Sequence, residues 1–339
     1  MNHLSGQKAF FNTRQFANVD TNLLRLFLIA FLVFFVMSLL NPGKFLTGRN
    51  FTSMAFQFPE LGLFAFAIMI SLISGGIDLS IISSANLAGI LAALVLTRVI
   101  PENAGGIQLF FWLLLAISAA LATGAACGLI NGFLIARVRI TPILATLGSM
   151  QLYMGIAYII TEGPAVYGYP ELFLAIGNSR LWQFPVPFLI FVAVAVILSL
   201  VLNKTRFGIN LFMLGTNEIA ARFSGIRIRA MLLKTYFLSG ILSGVTGLIM
   251  IARTNSAKAD YGSSYLLQAV LVAILGGVHP NGGFGTVFGV VIAVLALQFL
   301  SSGFNMLRFN NFAREFTWGG LLLAVMVLHF LSNRRKSNV

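Results

Sequence analysis

Along its 339 residues the chain returns again and again to apolar runs close to the ~20 residues that a helix needs to cross hydrocarbon. Candidate spans fall at roughly 24 to 41, 60 to 76, 79 to 97, 107 to 136, 142 to 160, 186 to 203, 231 to 252, 265 to 278, 284 to 303 and 316 to 331. Ten such runs predict an all-α polytopic transmembrane bundle, with a range of eight to eleven because some runs are short and one is oversized. Only helices and closed barrels satisfy their own backbone in lipid, and the runs are too long for strands. Charged residues make up 9% of the chain, against roughly 25% in soluble domains. No polar stretch exceeds about 30 residues, so residues 1–339 are expected to form one transmembrane domain with no room for a separate soluble one.

The excess of 22 Lys and Arg over 9 Asp and Glu carries a formal +13. In a soluble protein this would suggest nucleic acid. In a membrane protein it follows from basic loops retained on the cytoplasmic side, and the expectation is membrane lipid as a partner and no nucleic acid. Residues 204 to 234 hold six Lys or Arg, whereas 161 to 185 hold Arg180 with Glu162 and Glu171. The first stretch therefore reads as cytoplasmic and the second as external. With ten crossings both termini are cytoplasmic, and Lys8, Arg14, Arg25, Arg137, Arg139, Arg334, Arg335 and Lys336 fall on the inside with the 204–234 stretch. The run after the polar first 22 residues ends at Leu40-Asn-Pro-Gly without a small-x-small cleavage site, so it reads as a retained span. Trp182, Tyr167 and Tyr169 border the external stretch and Trp318 begins the last span, positions that suit interfacial rings or ordinary core aromatics alike.

Two apolar runs break on glycine: Leu72-Ile-Ser-Gly-Gly-Ile-Asp-Leu-Ser80, and Leu275-Gly-Gly-Val-His-Pro-Asn-Gly-Gly-Phe-Gly285. Glycine weakens a helix by about 1 kcal/mol and proline by about 3. Paired interruptions in two halves are the pattern of a transport path, because irregular backbone survives at membrane depth only beside protein or a watery cavity; two tight turns between spans would give the same sequence. Gly75, Gly76, Gly276 and Gly277 mark these breaks, at a path or as structural punctuation. Asp78 has two readings as well. An ionised carboxylate in hydrocarbon costs at least ~2.5 kcal/mol and faces a cavity or partner, and Asp before Leu-Ser-Ile-Ile-Ser-Ser also suits a helix cap. Glycines four apart at 124, 128 and 132, at 240 and 244, and at 285 and 289 point to close helix packing.

Several chemistries are missing. There is no Gly-x-x-x-x-Gly-Lys-Ser/Thr to cradle nucleotide phosphates, no His-Glu-x-x-His and no Gly-x-Ser-x-Gly. His3, His279 and His329 are scattered and Cys127 is the single cysteine, so neither a metal site nor a cofactor is expected. A membrane enzyme is thereby disfavoured. An ion-coupled carrier remains the alternative, although nearly all acids sit at ends or loops and Asp78 alone is a thin basis for proton coupling.

The stretch Gly208 to Lys234 contains Gly-Thr-Asn-Glu-Ile-Ala-Ala-Arg-Phe-Ser-Gly-Ile over 215 to 226. It resembles the coupling loop of the ribose, galactose and xylose type of permease in binding-protein-dependent ABC importers, matching the pattern Gly-x-Asn-x-x-Ala-Ala-x-x-Ser-Gly-Ile at Gly215, Asn217, Ala220, Ala221, Ser224, Gly225 and Ile226. Ser74 to Ser80, Asn131-Gly-Phe-Leu-Ile135, Thr141-Pro142 with Thr146-Leu-Gly148, and Leu275-Gly-Gly277 with Gly282-Gly-Phe-Gly285 follow in the family's order. Ile81-Ile82 stands where many relatives have Val-Gly, and Leu214 where another Gly is frequent. Between Glu218 and Arg229 the apolar Ile219, Phe223 and Ile226 give a short helix with one apolar face, suited to an ATPase groove or to anionic lipid.

The resemblance implies a bacterial inner-membrane permease for a monosaccharide or similar polyol. Its partners would be an ABC ATPase with two nucleotide sites, a periplasmic sugar-binding protein and a second permease chain, identical or paralogous. It assigns ATPase coupling to Gly215, Asn217, Glu218, Ala220, Ala221, Arg222, Ser224 and Gly225. As contacts along the path it suggests Ser80, Ser83, Ser84, Asn86 and Asn305, beside Asp78 and the break glycines.

Overall fold

A computed structural model describes residues 21–101 and 105–337, without side-chain placement for 21–22 and 328–337. Lys8 and Arg14 lie outside the described residues, as do the side chains of Arg334, Arg335 and Lys336. Fourteen helices follow in order: α1 (Thr21–Leu40), α2 (Pro42–Phe45), α3 (Gly48–Ile73), α4 (Ile81–Leu94), α5 (Gly106–Phe133), α6 (Pro142–Thr161), α7 (Glu171–Asn178), α8 (Val186–Lys204), α9 (Arg206–Thr216), α10 (Glu218–Phe223), α11 (Ile228–Thr254), α12 (Tyr265–Leu275), α13 (Val287–Met306) and α14 (Asn311–Ser337). Helices α4 and α5 continue for five residues each in π geometry, over Val95–Val99 and Leu134–Val138.

Among the described residues eight helices are long and apolar enough to cross a membrane: α1, α3, α4 with its extension, α5 with its extension, α6, α8, α11 and α13. With α12 and α14 they make the ten expected elements of an all-α polytopic bundle. At 11 residues α12 spans only ~16 Å, about half the ~30 Å hydrocarbon thickness, and it ends at the second glycine break. Helices α3, α4 and α11 bury most of their residues and form the centre of the bundle, whereas α1 and α8 bury few of theirs. Phe64, Phe66, Ile68, Met69 and Ile70 of α3 are fully buried, and the rings of Phe66 and Phe191 stack 5.2 Å apart, joining α8 to this core.

The glycine faces read from spacing meet one another. A Cβ added at Gly124 or Gly128 would strike the backbone of α11 at Gly240 or Tyr236, and one at Gly240 would strike the Gly124 carbonyl. Helices α5 and α11 therefore touch backbone to backbone, as small-residue faces allow.

Three boundaries differ from expectation. Helix α3 begins at Gly48 rather than near residue 60: Thr47 caps it by accepting from the Asn50 N–H at 3.3 Å, and Pro59 is accommodated in its interior. The basic stretch after α8 forms two helices, α9 and α10, where one was foreseen. Helix α10 stops at Phe223 rather than continuing to Arg229, because Gly225 turns the chain at φ +80° and the Ile226 N–H closes on the Ala221 carbonyl at 3.1 Å. At the other end of the bundle a long-range antiparallel pair joins 166–167 to 256–257, and a tight hairpin pairs 180–181 with 184–185. Trp182 and Tyr167 stand exposed there, while Tyr169 is buried.

Candidate functional site: a junction of two helix breaks and a surface helix pair

Helix α3 ends at Ile73, with Ser74 still in the right-handed region as its cap, because Gly75 turns the chain at φ +84°. The chain then runs to Ser80 before α4 starts, leaving backbone groups that need partners at depth. Asp78 serves one of them and ties the segment to its neighbours. Its Oδ1 accepts from the Ser80 N–H at 3.1 Å, the Ser80 hydroxyl at 2.7 Å and the Asn131 amide at 3.4 Å, and its Oδ2 accepts from the Ser239 hydroxyl at 2.8 Å. The Asp78 N–H donates to the Ser71 hydroxyl at 3.1 Å. Asn131 also donates to the Ser80 hydroxyl at 2.7 Å, and the Tyr153 hydroxyl lies 3.2 Å from the Asn131 Oδ1. One carboxylate, 2% exposed, thus ties the first break to α5 and α11, with α6 one bond further away. Hydrogen bonds to both of its oxygens offset the cost of burying the group.

The second break is held differently. Gly276 packs on Val290 so closely that a Cβ would lie 2.8 Å from its backbone, and Gly289 faces the Gly276 carbonyl in return. The loop folds on its own backbone through His279 N–H to Phe284 carbonyl and Gly282 N–H to His279 carbonyl, both 3.0 Å. No acid occurs between Gly276 and Thr286.

The two breaks touch, and a third segment wedges in with them. The Gly283 N–H donates to the Ile73 carbonyl at 3.0 Å. A Cβ on Gly282 would sit 2.8 Å from both the Gly215 carbonyl and the Gly75 nitrogen, and one on Gly215 would strike the Ile73 carbonyl. Gly282 and Gly283 have φ +93° and +80°. The last turn of α9 is thus in backbone contact with both interruptions, an approach only glycine permits.

Beyond this junction the chain is bare. Asn217 caps α10 through its Oδ1 and the Ala220 N–H at 3.0 Å, and Glu218 pairs with Arg222 at 3.0 Å on the surface. The Ser224 hydroxyl bonds the Ala220 carbonyl at 3.0 Å. Ala221 is buried against the bundle, but Ile219 and Phe223 are 69% and 88% exposed. A cavity of about 380 Å³ opens beside α10, lined by Gly75, Gly76, Arg139, Thr141, Glu218 and Arg222 among others.

The structure brings Gly75, Gly76, Asp78, Ser80, Gly215, Gly276 and Gly277 to one end of the bundle beside α10. Ser83 and Ser84 are buried, and the Ser84 hydroxyl lies 3.5 Å from that of Ser80. The Asn86 amide donates inward to the carbonyls of Ala259 and Tyr261 at 2.9 and 2.8 Å. Asn305 is exposed at the opposite end of α13. Gly282, Gly283, Asn131 and Ser239 were not singled out as site residues; the first three lie inside motifs already noted, while nothing in the sequence marks Ser239. Also unforeseen is a buried ion pair at the far end. The Arg253 Nε bonds the Glu60 Oε1 at 2.6 Å, its NH2 bonds Oε2 at 2.8 Å, and the Tyr265 hydroxyl donates to the same carboxylate at 3.0 Å.

A protein-family profile described as "Branched-chain amino acid transport system / permease component" matches residues 50–330. The L-arabinose transport system permease protein AraH of Escherichia coli (strain K12) is 33% identical over 312 residues, 92% of each chain. The Autoinducer 2 import system permease protein LsrD of Enterobacter sp. (strain 638) is 30% identical over 325 residues, 94% of this chain and 95% of the relative. LsrD of Yersinia enterocolitica is 31% identical over 281 residues, 81% and 82% of the two chains.

Proposed function

We propose, from the premise that this chain belongs to the family of permease components of branched-chain amino acid transport systems, that it is the membrane-spanning subunit of an ABC importer for a monosaccharide or a similar small polyol. The multi-pass bundle and its permease relatives support the inner membrane, and relatives covering over nine tenths of the chain are named for an L-arabinose transport system and an autoinducer 2 import system. Both termini and the α9–α10 segment face the cytoplasm in this reading, supported by the six basic residues between 204 and 234. A separate ATPase with two nucleotide sites docks on α10, a sugar-binding protein delivers solute at the opposite face, and a second permease chain, identical or paralogous, completes the path.

The single observation that carries the proposal is the pairing of a bare apolar surface with a rigid backbone junction behind it. Ile219 and Phe223 offer a partner two exposed anchors, of the kind that dominate binding when they fill pockets. Gly215, Asn217, Glu218, Ala220, Ala221, Arg222, Ser224 and Gly225 shape and hold that surface. Closure of the ATPase on nucleotide would press α10, and the contact at Gly215 would carry the displacement to both breaks as a switch between two arrangements. Asp78 serves as the anchor of the first break in this mechanism, with Ser80 as its local partner.

The test is the energy source. Cells expressing the complete system are given a panel of radiolabelled pentoses and hexoses. Uptake should survive a protonophore while ATP is maintained and stop when ATP is depleted. Uptake that instead follows a proton or sodium gradient at constant ATP would identify an ion-coupled carrier.

A further inference from the structure

We propose that the face of α6 turned away from the bundle is a wall of the solute path, and that Gln151 is its contact for the hydroxyls of a small neutral solute; the proposal rests on the transport reading above. Helix α6 packs inward through Ala145, Ser149, Tyr153, Ala157 and Thr161, a row at four-residue steps. Directly opposite run Leu144, Gly148, Gln151, Gly155 and Tyr158, at alternating steps of four and three. Gln151 is exposed near the middle of this 20-residue helix, ~14 Å from either end. Its amide makes no hydrogen bond among the described residues. A Cβ added at Gly148 or Gly155 would meet nothing within 4 Å, so a notch opens one turn to each side of the amide.

The outward side of α6 also exposes Leu144, Leu152 and Ile159, but it differs from the outward faces of α1 and α8, with Phe31, Leu32 and Leu39, and Val196, Ile197 and Leu200, in setting an unbonded amide between two glycines at mid-span. An unpaired amide at that depth would cost several kcal/mol in lipid. A wet surface removes that cost, and a midplane position open to water in a transport bundle is where solute is met. The notch is also neutral. The carboxylate and ammonium of an amino acid would call for charged partners, whereas the hydroxyls of a polyol are satisfied by an amide that both donates and accepts. The wall is mechanically joined to the junction, since the Thr146 hydroxyl of α6 donates to the Ile77 carbonyl of the first break at 3.2 Å and Gly76 packs on Pro142.

The test uses the assembled transporter in native membranes, with Cys127→Ala removing the one native thiol. Gln151→Cys and Gly155→Cys are compared with Ile197→Cys on the outward face of α8, using a small membrane-impermeant methanethiosulfonate. Thiolates form and react only in water, so both α6 positions should label at least about ten-fold faster than Ile197→Cys. Labelling of Gln151→Cys and Gly155→Cys as slow as that of Ile197→Cys would overturn the proposal and place the face against lipid or in dry contact with a second chain. Co-purification of an ATPase is scored on the same samples. An ATPase retained with unreactive α6 cysteines defeats the wall alone, whereas reactive cysteines without any ATPase defeat the importer reading and leave the wall standing.

Discussion

The two helix breaks look alike in sequence and are held by opposite means. Between Ile73 and Ile81 one buried carboxyl group with four donors ties the chain to its neighbours, so the first break is secured by side-chain hydrogen bonds. Between Leu275 and Val287 there is no acid, and glycine backbone set against neighbouring backbone holds the chain. Polar anchoring can be weakened in steps, since an amide or a hydroxyl replaces part of what a carboxylate does. Steric anchoring has no intermediate setting, because the smallest side chain already collides. The second break should therefore tolerate no side chain at Gly276, Gly282 or Gly283, and the first should show a graded response.

The largest effect is expected at Gly282. Alanine there must adopt φ +93° and bring its Cβ against the Gly215 carbonyl and the Gly75 nitrogen, and its summed cost of more than ~4 kcal/mol should abolish recovery of monodisperse protein in detergent. Next comes Asp78. Asp78→Ala leaves the Ser80 and Ser239 hydroxyls and the Asn131 amide without their acceptor and, at roughly 1–3 kcal/mol for each stranded donor, should cost about 3–5 kcal/mol, whereas Asp78→Asn should cost about 1–3 kcal/mol because one oxygen remains to accept. Thermal unfolding of the purified variants would rank them, and equal losses for the two would dissolve the graded behaviour claimed for this break. A smaller effect is expected at Gly225, where φ is +80° but the surroundings are open: Gly225→Ala should cost about 1–2 kcal/mol, read as a modest fall in melting temperature with the chain still folded. The smallest is Glu218→Gln, which removes an exposed ion pair and should change stability by less than ~1 kcal/mol. Any effect of that substitution on transport would then belong to the partner surface.

Much of this was legible in the chain. The ten apolar helices followed from apolar run length, eight of them, among the described residues, long and apolar enough to cross a membrane, and both breaks from glycine clusters that no helix interior would choose. The site was legible in its parts and not in its arrangement. Gly215, Gly75 and Gly282 belong to three motifs more than sixty residues apart, and no local pattern says that their backbones meet. Ser80, Ser83, Ser84 and Asn86 suggested hydroxyl-accommodating contacts, yet Ser80 and Asn86 bond inward, because periodicity gives the faces of a helix without saying which one is covered. Gln151 drew no notice for the same reason, lying among leucine, methionine and tyrosine. Helix α9 was hidden by Gly208 and Gly215, weak helix formers retained because each sits against backbone, at Leu202 and Ile73 respectively. The start of α3 was hidden by Pro59, which reads as a boundary and lies inside the helix.

Placement also separates variants that sequence alone would treat as equivalent. Ala221 is buried, so a charge introduced there would disturb the fold as well as any partner contact, whereas Ile219 and Phe223 stand free of the bundle. The central claim is that α10 carries the ATPase, and the direct measurement is co-purification of the ATPase with the tagged chain from its native membranes, comparing wild type with Ile219→Asp/Phe223→Asp. The account expects the double variant to insert and melt like wild type and to lose the ATPase; an ATPase recovered in equal yield with both forms would contradict it.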